Sequence, residues 1–159
     1  GTKDKLLSRV EIIDQTEFIA SENVDVDFLL IDTQGSLTKE MAQFLFQSSL
    51  IITPCRASRD DIVGQGWIEV FLKQSNQNIK KAPILTVLNG VNKRSSILSH
   101  VIEQLKEDGV QVAETCISQR VCFAETNVNK ISVIGYNKHA TKEIVDLTNE
   151  ALNLIKSEV

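Results

Sequence analysis

The sequence is short of the residues and apolar runs on which several classes of protein depend. Its three cysteines show no CxxC spacing and its two histidines stand far apart, so we expect free thiols rather than a metal site or a disulfide framework. There is no run of about 18 apolar residues, and the N-terminal stretch lacks the apolar core of a signal peptide. We therefore expect a cytoplasmic protein. Repeats, low-complexity segments and linkers rich in Pro, Gly or Ser are also missing, which predicts a single domain over residues 1–159.

The distribution of glycine excludes one common type of site from these residues. Phosphate-binding loops combine glycines with a lysine followed by Ser or Thr, because backbone N–H groups and the lysine together neutralise the phosphates. None of the seven glycines is followed by Lys-Ser or Lys-Thr; they stand at positions 1, 35, 64, 66, 90, 109 and 135. The 159 residues therefore contain no phosphate loop of this type.

The overall composition is that of an ordinary globular protein. Hydrophobic residues make up 42% of the sequence, charged residues make up 24%, and the formal net charge is −4. This balance is enough for a buried core, and it argues against a protein whose whole surface binds nucleic acid. A basic patch confined to one edge remains compatible with it.

Apolar stretches and helical stripes alternate along most of the chain. Strands are expected at 27–31, 50–53, 84–88 and 112–117, and the first three are apolar nearly throughout, as in strands covered on both faces. Amphipathic patterns predict helices at 3–22 and around Met41, Phe44 and Leu45. A third helix follows a capping-box signature formed by Ser58 and Asp61 and carries Ile62, Trp67, Val70 and Phe71. A fourth is capped by Ser95 and stopped by Gly109, and a fifth covers 140–154. The alternation predicts an α/β fold with a mainly parallel sheet and helices on both faces.

The segment VDFLLIDTQGS, residues 26–36, is the most informative stretch. It is an apolar run that ends in Asp32 and breaks at once into a Gly-containing turn. Ligands of open α/β sheets sit beyond the carboxyl ends of the strands, where a carboxylate can steady a magnesium ion. The alternative for Asp32 is an Asp that caps a helix or a turn. Gln34 could orient a water molecule beside a phosphate, and the alternative is a solvated glutamine in a turn.

Four segments in order resemble the C-terminal portion of the ParA-type partition ATPases, the deviant-Walker-A branch of P-loop proteins. VDFLLIDTQGS resembles the Walker B strand and switch turn, and SSLIITPCRASRDDIVGQG, residues 48–66, resembles the strand and capped helix that follow. APILTVLNGVNKRS, residues 82–96, resembles the strand whose terminal Asn lies near the base. VAETCISQRVCFAETNVNKISVIGY, residues 112–136, is similar to the last strand, its Arg-bearing turn and the loop before the closing helix. The resemblance covers nearly all of residues 25–156.

The resemblance implies a P-loop NTPase-like fold without its N-terminal strand and phosphate loop, with ATP and Mg²⁺ as cofactors. It also implies a homodimer, nonspecific DNA binding and a ParB-type centromere-binding partner that triggers hydrolysis. In this family the phosphate loop precedes Walker B, so the chain is expected to be the Walker B to C-terminal part of a longer ATPase. The open alternative is an ATPase-dead scaffold of the same fold. No membrane partner is expected, because the C-terminal ALNLIKSEV is not basic.

The resemblance also assigns roles to individual residues. Asp32 would hold Mg²⁺ through its water shell, and Thr33 and Gly35 would line the nucleotide. Gln34 stands where relatives usually carry a small residue or Pro, but a glutamine beside a γ-phosphate can orient a water molecule and so assist catalysis. Asn89 would contact the base, and the lack of a nearby Asp favours ATP over GTP, since guanine is usually met by a carboxylate.

Basic residues complete the expected site. Arg120, in the turn after the last strand, would lie near the nucleotide and the dimer face. Four more basic residues follow strand ends and are candidates for binding phosphates of nucleotide or DNA: Arg56, Arg59, Lys93 and Arg94. A solvated charged rim is the alternative for this group.

Overall fold

The computed structural model describes residues 10–12, 25–33, 44–75 and 82–157. In this part of the chain a three-stranded parallel sheet alternates with helices, which confirms the expected α/β fold. The strands lie in the order β1 (Ile51–Cys55), β2 (Ile84–Val91) and β3 (Ile117–Ser118). A helical turn at 44–47 precedes them. The longer helices are α1 (Arg59–Ser75), α2 (Ser96–Glu107), α3 (Val121–Asn129) and α4 (Lys138–Ser157).

Strand β2 forms the centre of the core because its side chains point alternately to two covered faces. Leu85 and Val87 belong to a buried cluster against which Ile144 and Leu147 of α4 pack. Leu88 belongs to a second cluster, which it shares with the buried face of α2. Helices therefore cover both faces of the sheet, as the sequence predicts.

Helix α2 shows how closely the amphipathic pattern can determine an element. Leu98 and Leu105 of its apolar stripe are buried. After its last turn, the N–H of Gly109 donates to the Lys106 carbonyl at 3.0 Å, and the N–H of Val110 donates to the Leu105 carbonyl at 2.9 Å. Gly109 has a φ of 79°, which a glycine adopts without the steric cost that other residues meet. The predicted end of this helix is confirmed.

Helix α1 begins as predicted, and only part of its expected stripe faces the core, where Ile62 and Phe71 pack against buried clusters. The Asp61 N–H donates to Ser58 Oγ at 3.3 Å, so Ser58 caps the helix as predicted. The Asp61 carboxylate accepts a hydrogen bond of 2.7 Å from the Ser58 hydroxyl rather than from the Ser58 backbone N–H, so the capping box is only half formed. The expected stripe residue Trp67 is exposed, whereas Gln65 is buried. Gln65 Oε1 accepts a hydrogen bond of 3.1 Å from the hydroxyl of Thr86 on β2. This polar contact explains why a glutamine occupies the inner face.

Other predicted elements differ in the structure or lie mostly outside the described residues. Residues 27–31 form no strand with any described residue, and the apolar side chains there are exposed. An apolar run becomes a buried strand only where a neighbouring strand pairs with it, and no described strand does so. Of the helix expected at 3–22, only 10–12 are described, and they are not helical. Strand β1 is an edge strand in the described sheet, and Ile52 on one of its faces is exposed because no described residue covers that face.

The strand expected at 112–117 is divided into two pieces. Val112 forms an isolated parallel bridge with Thr86, and regular pairing resumes only at β3. Between them, the backbone N–H groups of Glu114 and Thr115 donate to the carboxylate of Glu150 on α4, at 2.7 and 3.2 Å. Because Glu150 takes these donors, the backbone at 114–115 cannot continue the ladder with β2. Among the described helices, none combines the length and the apolar character needed to cross a membrane.

Candidate functional site

The carboxyl ends of β2 and β3 meet at one edge of the sheet, because the two strands are parallel. Val91 at the end of β2 pairs with Ser118 at the end of β3, and the Gln119 N–H donates to the Val91 carbonyl at 3.0 Å. The chain leaves β2 through a turn that contains Lys93 and leaves β3 at Arg120. Two predicted cationic residues therefore emerge from neighbouring strand ends, at the edge where ligands of open α/β sheets bind.

Glu143 of α4 joins these residues from below the edge. Its Oε1 lies 2.8 Å from Lys93 Nζ and accepts a hydrogen bond of 3.0 Å from Arg120 Nη2. The Ser118 hydroxyl donates to the same oxygen at 2.7 Å, and the Ser118 N–H donates to Oε2 at 3.1 Å. We call Lys93, Ser118, Arg120 and Glu143 the carboxyl-edge cluster. The structure thus brings together Lys93 and Arg120, which the sequence singles out separately.

The electrostatics of the carboxyl-edge cluster keep Glu143 ionised. Its side chain is only 8% exposed, and burial on its own would raise its pKa. Hydrogen bonds from Arg120, Lys93 and Ser118 outweigh burial and lower the pKa to about 2. The hydrogen bond to Glu143 in turn raises the pKa of Arg120. Two cations around one carboxylate leave one unit of positive charge uncompensated.

The start of α4 determines why Glu143 points into the sheet edge. The side-chain Oδ1 of Asn137 accepts hydrogen bonds of 3.0 Å from the backbone N–H groups of His139 and Ala140, which caps the helix. From there, Ala140, Glu143 and Ile144 recur at the spacing of a single helical face, and both Ala140 and Glu143 are buried. Sequence reasoning missed Glu143 and Ser118. A carboxylate in the middle of an apolar stripe was the available signal.

The remaining nucleotide candidates form no side-chain hydrogen bond with this cluster or lie outside the described residues. Asn89 is exposed near the end of β2. Asp32 and Thr33 are exposed at the end of the unpaired segment, and no hydrogen bond or ion pair joins them to another described residue. Gln34 and Gly35 fall outside the described residues.

The other basic candidates line the same side of the sheet without joining the cluster. Arg56 and Arg59 follow the end of β1 and are exposed. Arg94 lies in the turn after β2, where its N–H donates to the side chain of Asn92 at 3.1 Å. Within the described residues, none of these three arginines forms an ion pair. The three arginines are thus solvated, and of the four basic candidates only Lys93 contacts the same carboxylate as Arg120, that of Glu143.

The cysteines and the other potential metal ligands among the described residues form no metal site. No group of three or more potential metal ligands occurs among them, and the three cysteines there are free and buried. Burial, with a smaller effect of Asp61, raises the pKa of Cys55 to about 11, so its thiol is not a ready nucleophile.

Neither a model of a known protein family nor a curated protein matches the sequence.

Proposed function

We propose that the chain belongs to a ParA-type partition ATPase, a cytoplasmic protein that uses ATP to segregate DNA. In this proposal ATP and Mg²⁺ bind at the carboxyl edge of the sheet, and two copies associate around nucleotide. The dimer then holds DNA without sequence preference, and a ParB-type centromere-binding protein stimulates hydrolysis. The phosphate loop of this family is not among the 159 residues, so the proposal concerns the product of the complete reading frame.

The convergence of Lys93 and Arg120 at the carboxyl edge is the observation that supports this proposal best. Phosphoryl groups are bound chiefly by positioned cations and backbone donors, and a parallel sheet presents its ligands at this edge. The two residues follow strands β2 and β3, and for Arg120 the resemblance implies a position near the nucleotide. The uncompensated positive charge of the carboxyl-edge cluster suits a phosphate.

Asp32 and Asn89 complete the proposed site. Mg²⁺ usually retains several waters and binds one or two carboxylates together with substrate phosphates, so a single exposed carboxylate such as Asp32 fits it. The ion, when bound, would neutralise charge on the phosphates. Asn89 is exposed near the end of β2, where its amide would both donate to and accept from adenine.

Turnover of ATP by the complete reading frame tests the proposal. Asp32→Ala should reduce turnover by at least about 100-fold, because this is the effect expected when one positioned charge-stabilising group is lost. It should leave the thermal midpoint nearly unchanged, because Asp32 is exposed. Asp27→Ala removes an exposed carboxylate from the same segment and is the matched control. Equal turnover in the Asp32 and Asp27 variants would show that Asp32 is not the Walker B acid.

An ATPase-dead scaffold is the second candidate. The lack of a glycine-rich, lysine-bearing loop and the exposed apolar side chains at 26–31 favour it, because both suit a protein that binds partners rather than nucleotide. A complete reading frame that neither binds nor hydrolyses ATP, yet remains folded, would establish the scaffold and rule out the ATPase.

A further inference from the structure

We infer that Glu143 is a positioning residue that holds Arg120 and Lys93 in place for a phosphate group at the carboxyl edge. The identity of the ligand rests on the proposed function, whereas the positioning by Glu143 rests on the geometry of the carboxyl-edge cluster. Ser118 fixes the Glu143 carboxylate to β3 through both its hydroxyl and its backbone N–H. The carboxylate then sets the direction of the two cationic side chains.

Both cations retain donors while they contact Glu143. Arg120 uses Nη2 for the contact, and its buried Nε has no acceptor among the described residues. Lys93 Nζ carries three N–H donors, and its side chain is 48% exposed. A carboxylate that merely neutralised a cation would need one partner, whereas Glu143 orders two and leaves a positive charge. An incoming phosphate oxygen can therefore accept hydrogen bonds from donors that are already positioned.

Glu143→Gln separates positioning from simple electrostatics because the two effects have opposite signs. Removing the carboxylate adds a unit of positive charge at the edge, so electrostatics alone would strengthen binding of any phosphate. Loss of positioning would instead weaken it. We expect binding to the complete reading frame to weaken about tenfold, the equivalent of one hydrogen bond to a charged group. The probes are ATP with Mg²⁺, inorganic phosphate and an unrelated DNA duplex, which distinguish nucleotide, free anion and nucleic acid as the source of the phosphate.

Two further variants make the comparison specific. Glu150→Gln makes the same change of charge on the same helix, but Glu150 contacts backbone N–H groups rather than cations, so phosphate affinity should be unchanged or slightly stronger. Ser118→Ala removes an anchor of Glu143 without changing charge, and it should weaken binding in the same direction as Glu143→Gln. Unchanged or tighter binding by Glu143→Gln would overturn the inference.

NMR of the arginine Nε–H groups tests the positioning without any nucleotide. In the 159-residue chain, Arg120 should give a resolved, slowly exchanging Nε–H resonance, identified by its loss in Arg120→Lys. Glu143→Gln should move it to the averaged position of mobile arginines, whereas Glu150→Gln should leave it in place. An unchanged Arg120 resonance in Glu143→Gln would overturn the inference. If the resonance behaves as expected and the wild type binds none of the probes, the proposed function is wrong, and the ordering of Arg120 by Glu143 is supported.

Discussion

The carboxylate of Glu143 makes the stability of the fold sensitive to acid. Burial raises its pKa, but the donors around it bring the folded-state pKa from the ordinary 4.5 down to about 2. The unfolded chain therefore takes up this proton at a higher pH than the folded chain does. Between these two values the unfolded state binds more protons, so the contribution of Glu143 to stability is lost as the pH falls.

We expect Glu143→Gln to show this loss as a pH-dependent difference from the wild type. Near neutral pH the variant should be less stable by about 1.5 to 3 kcal/mol, since it loses hydrogen bonds between charged groups. The difference should shrink as the pH falls from 4.5 to about 2, because the wild-type carboxylate also becomes neutral there. Thermal midpoints of both proteins across the acid range provide the measurement. Curves that stay parallel would contradict the lowered pKa.

At the residue scale, the sequence indicated the two cationic residues of the carboxyl-edge cluster but not the carboxylate that both of them contact. Lys93 and Arg120 follow strand ends, and strand ends are visible in the pattern of apolar runs. Glu143 lies 25 positions after Ser118, on a helix whose rotation is fixed by the Asn137 cap. No local pattern states which helical face reaches a given strand end, so the carboxyl-edge cluster could not be predicted as a unit.

At the scale of elements, two serines that look alike in the sequence have different roles. Ser58 and Ser95 both precede helices and are both predicted to cap them. The Ser58 hydroxyl accepts a hydrogen bond from the Asp61 N–H and donates one to the Asp61 carboxylate, whereas the Ser95 side chain makes no capping bond. A cap stabilises a helix only when its oxygen meets a free backbone N–H.

We therefore expect Ser58→Ala and Ser95→Ala to differ in stability. Ser58→Ala should lower the free energy of unfolding by about 1 kcal/mol and the thermal midpoint by about 2 to 4 °C. Ser95→Ala should change both values little, because no side-chain bond is lost. Calorimetry or circular dichroism on the two variants measures this. A larger loss in the Ser95 variant would show that the capping roles have been assigned to the wrong serines.

Elements with a local cause were predictable, and those with a distant cause were not. Helix α2 follows from its own apolar spacing and from Gly109, so both its face and its end were predicted. The division of the strand at 112–117 depends on Glu150, which lies 36 residues after Glu114. Helix α3 lies where the resemblance implies a loop, so that expectation is wrong. The helix ends at Lys130 with a φ of 53°, a conformation usually assigned to Gly or Asn, so its end carries no recognisable residue.

At the scale of the whole molecule, two apolar features of the described residues lack a covering partner. The segment 26–31 has exposed apolar side chains, and Leu30 there is 91% exposed. Strand β1 forms an edge of the described sheet and exposes Ile52 on one face. Edge strands and contiguous apolar surface both promote association with another chain.

We predict that the 159-residue chain self-associates as its concentration rises and binds no fluorescent ATP analogue, because it has no glycine-rich, lysine-bearing loop to hold the phosphates. Leu30→Lys and Ile52→Lys should each lower the average mass measured by light scattering, since a lysine on an apolar surface or a strand edge opposes association. Val128→Lys, at a position on α3 that is 82% exposed, adds the same charge away from both surfaces and should leave the mass unchanged. An equal effect of all three substitutions would mean that net charge, rather than these two surfaces, controls association. A monodisperse monomer that binds the ATP analogue and Mg²⁺ tightly would contradict both the predicted association and the resemblance to ParA-type ATPases, since its phosphate site would then need no such loop.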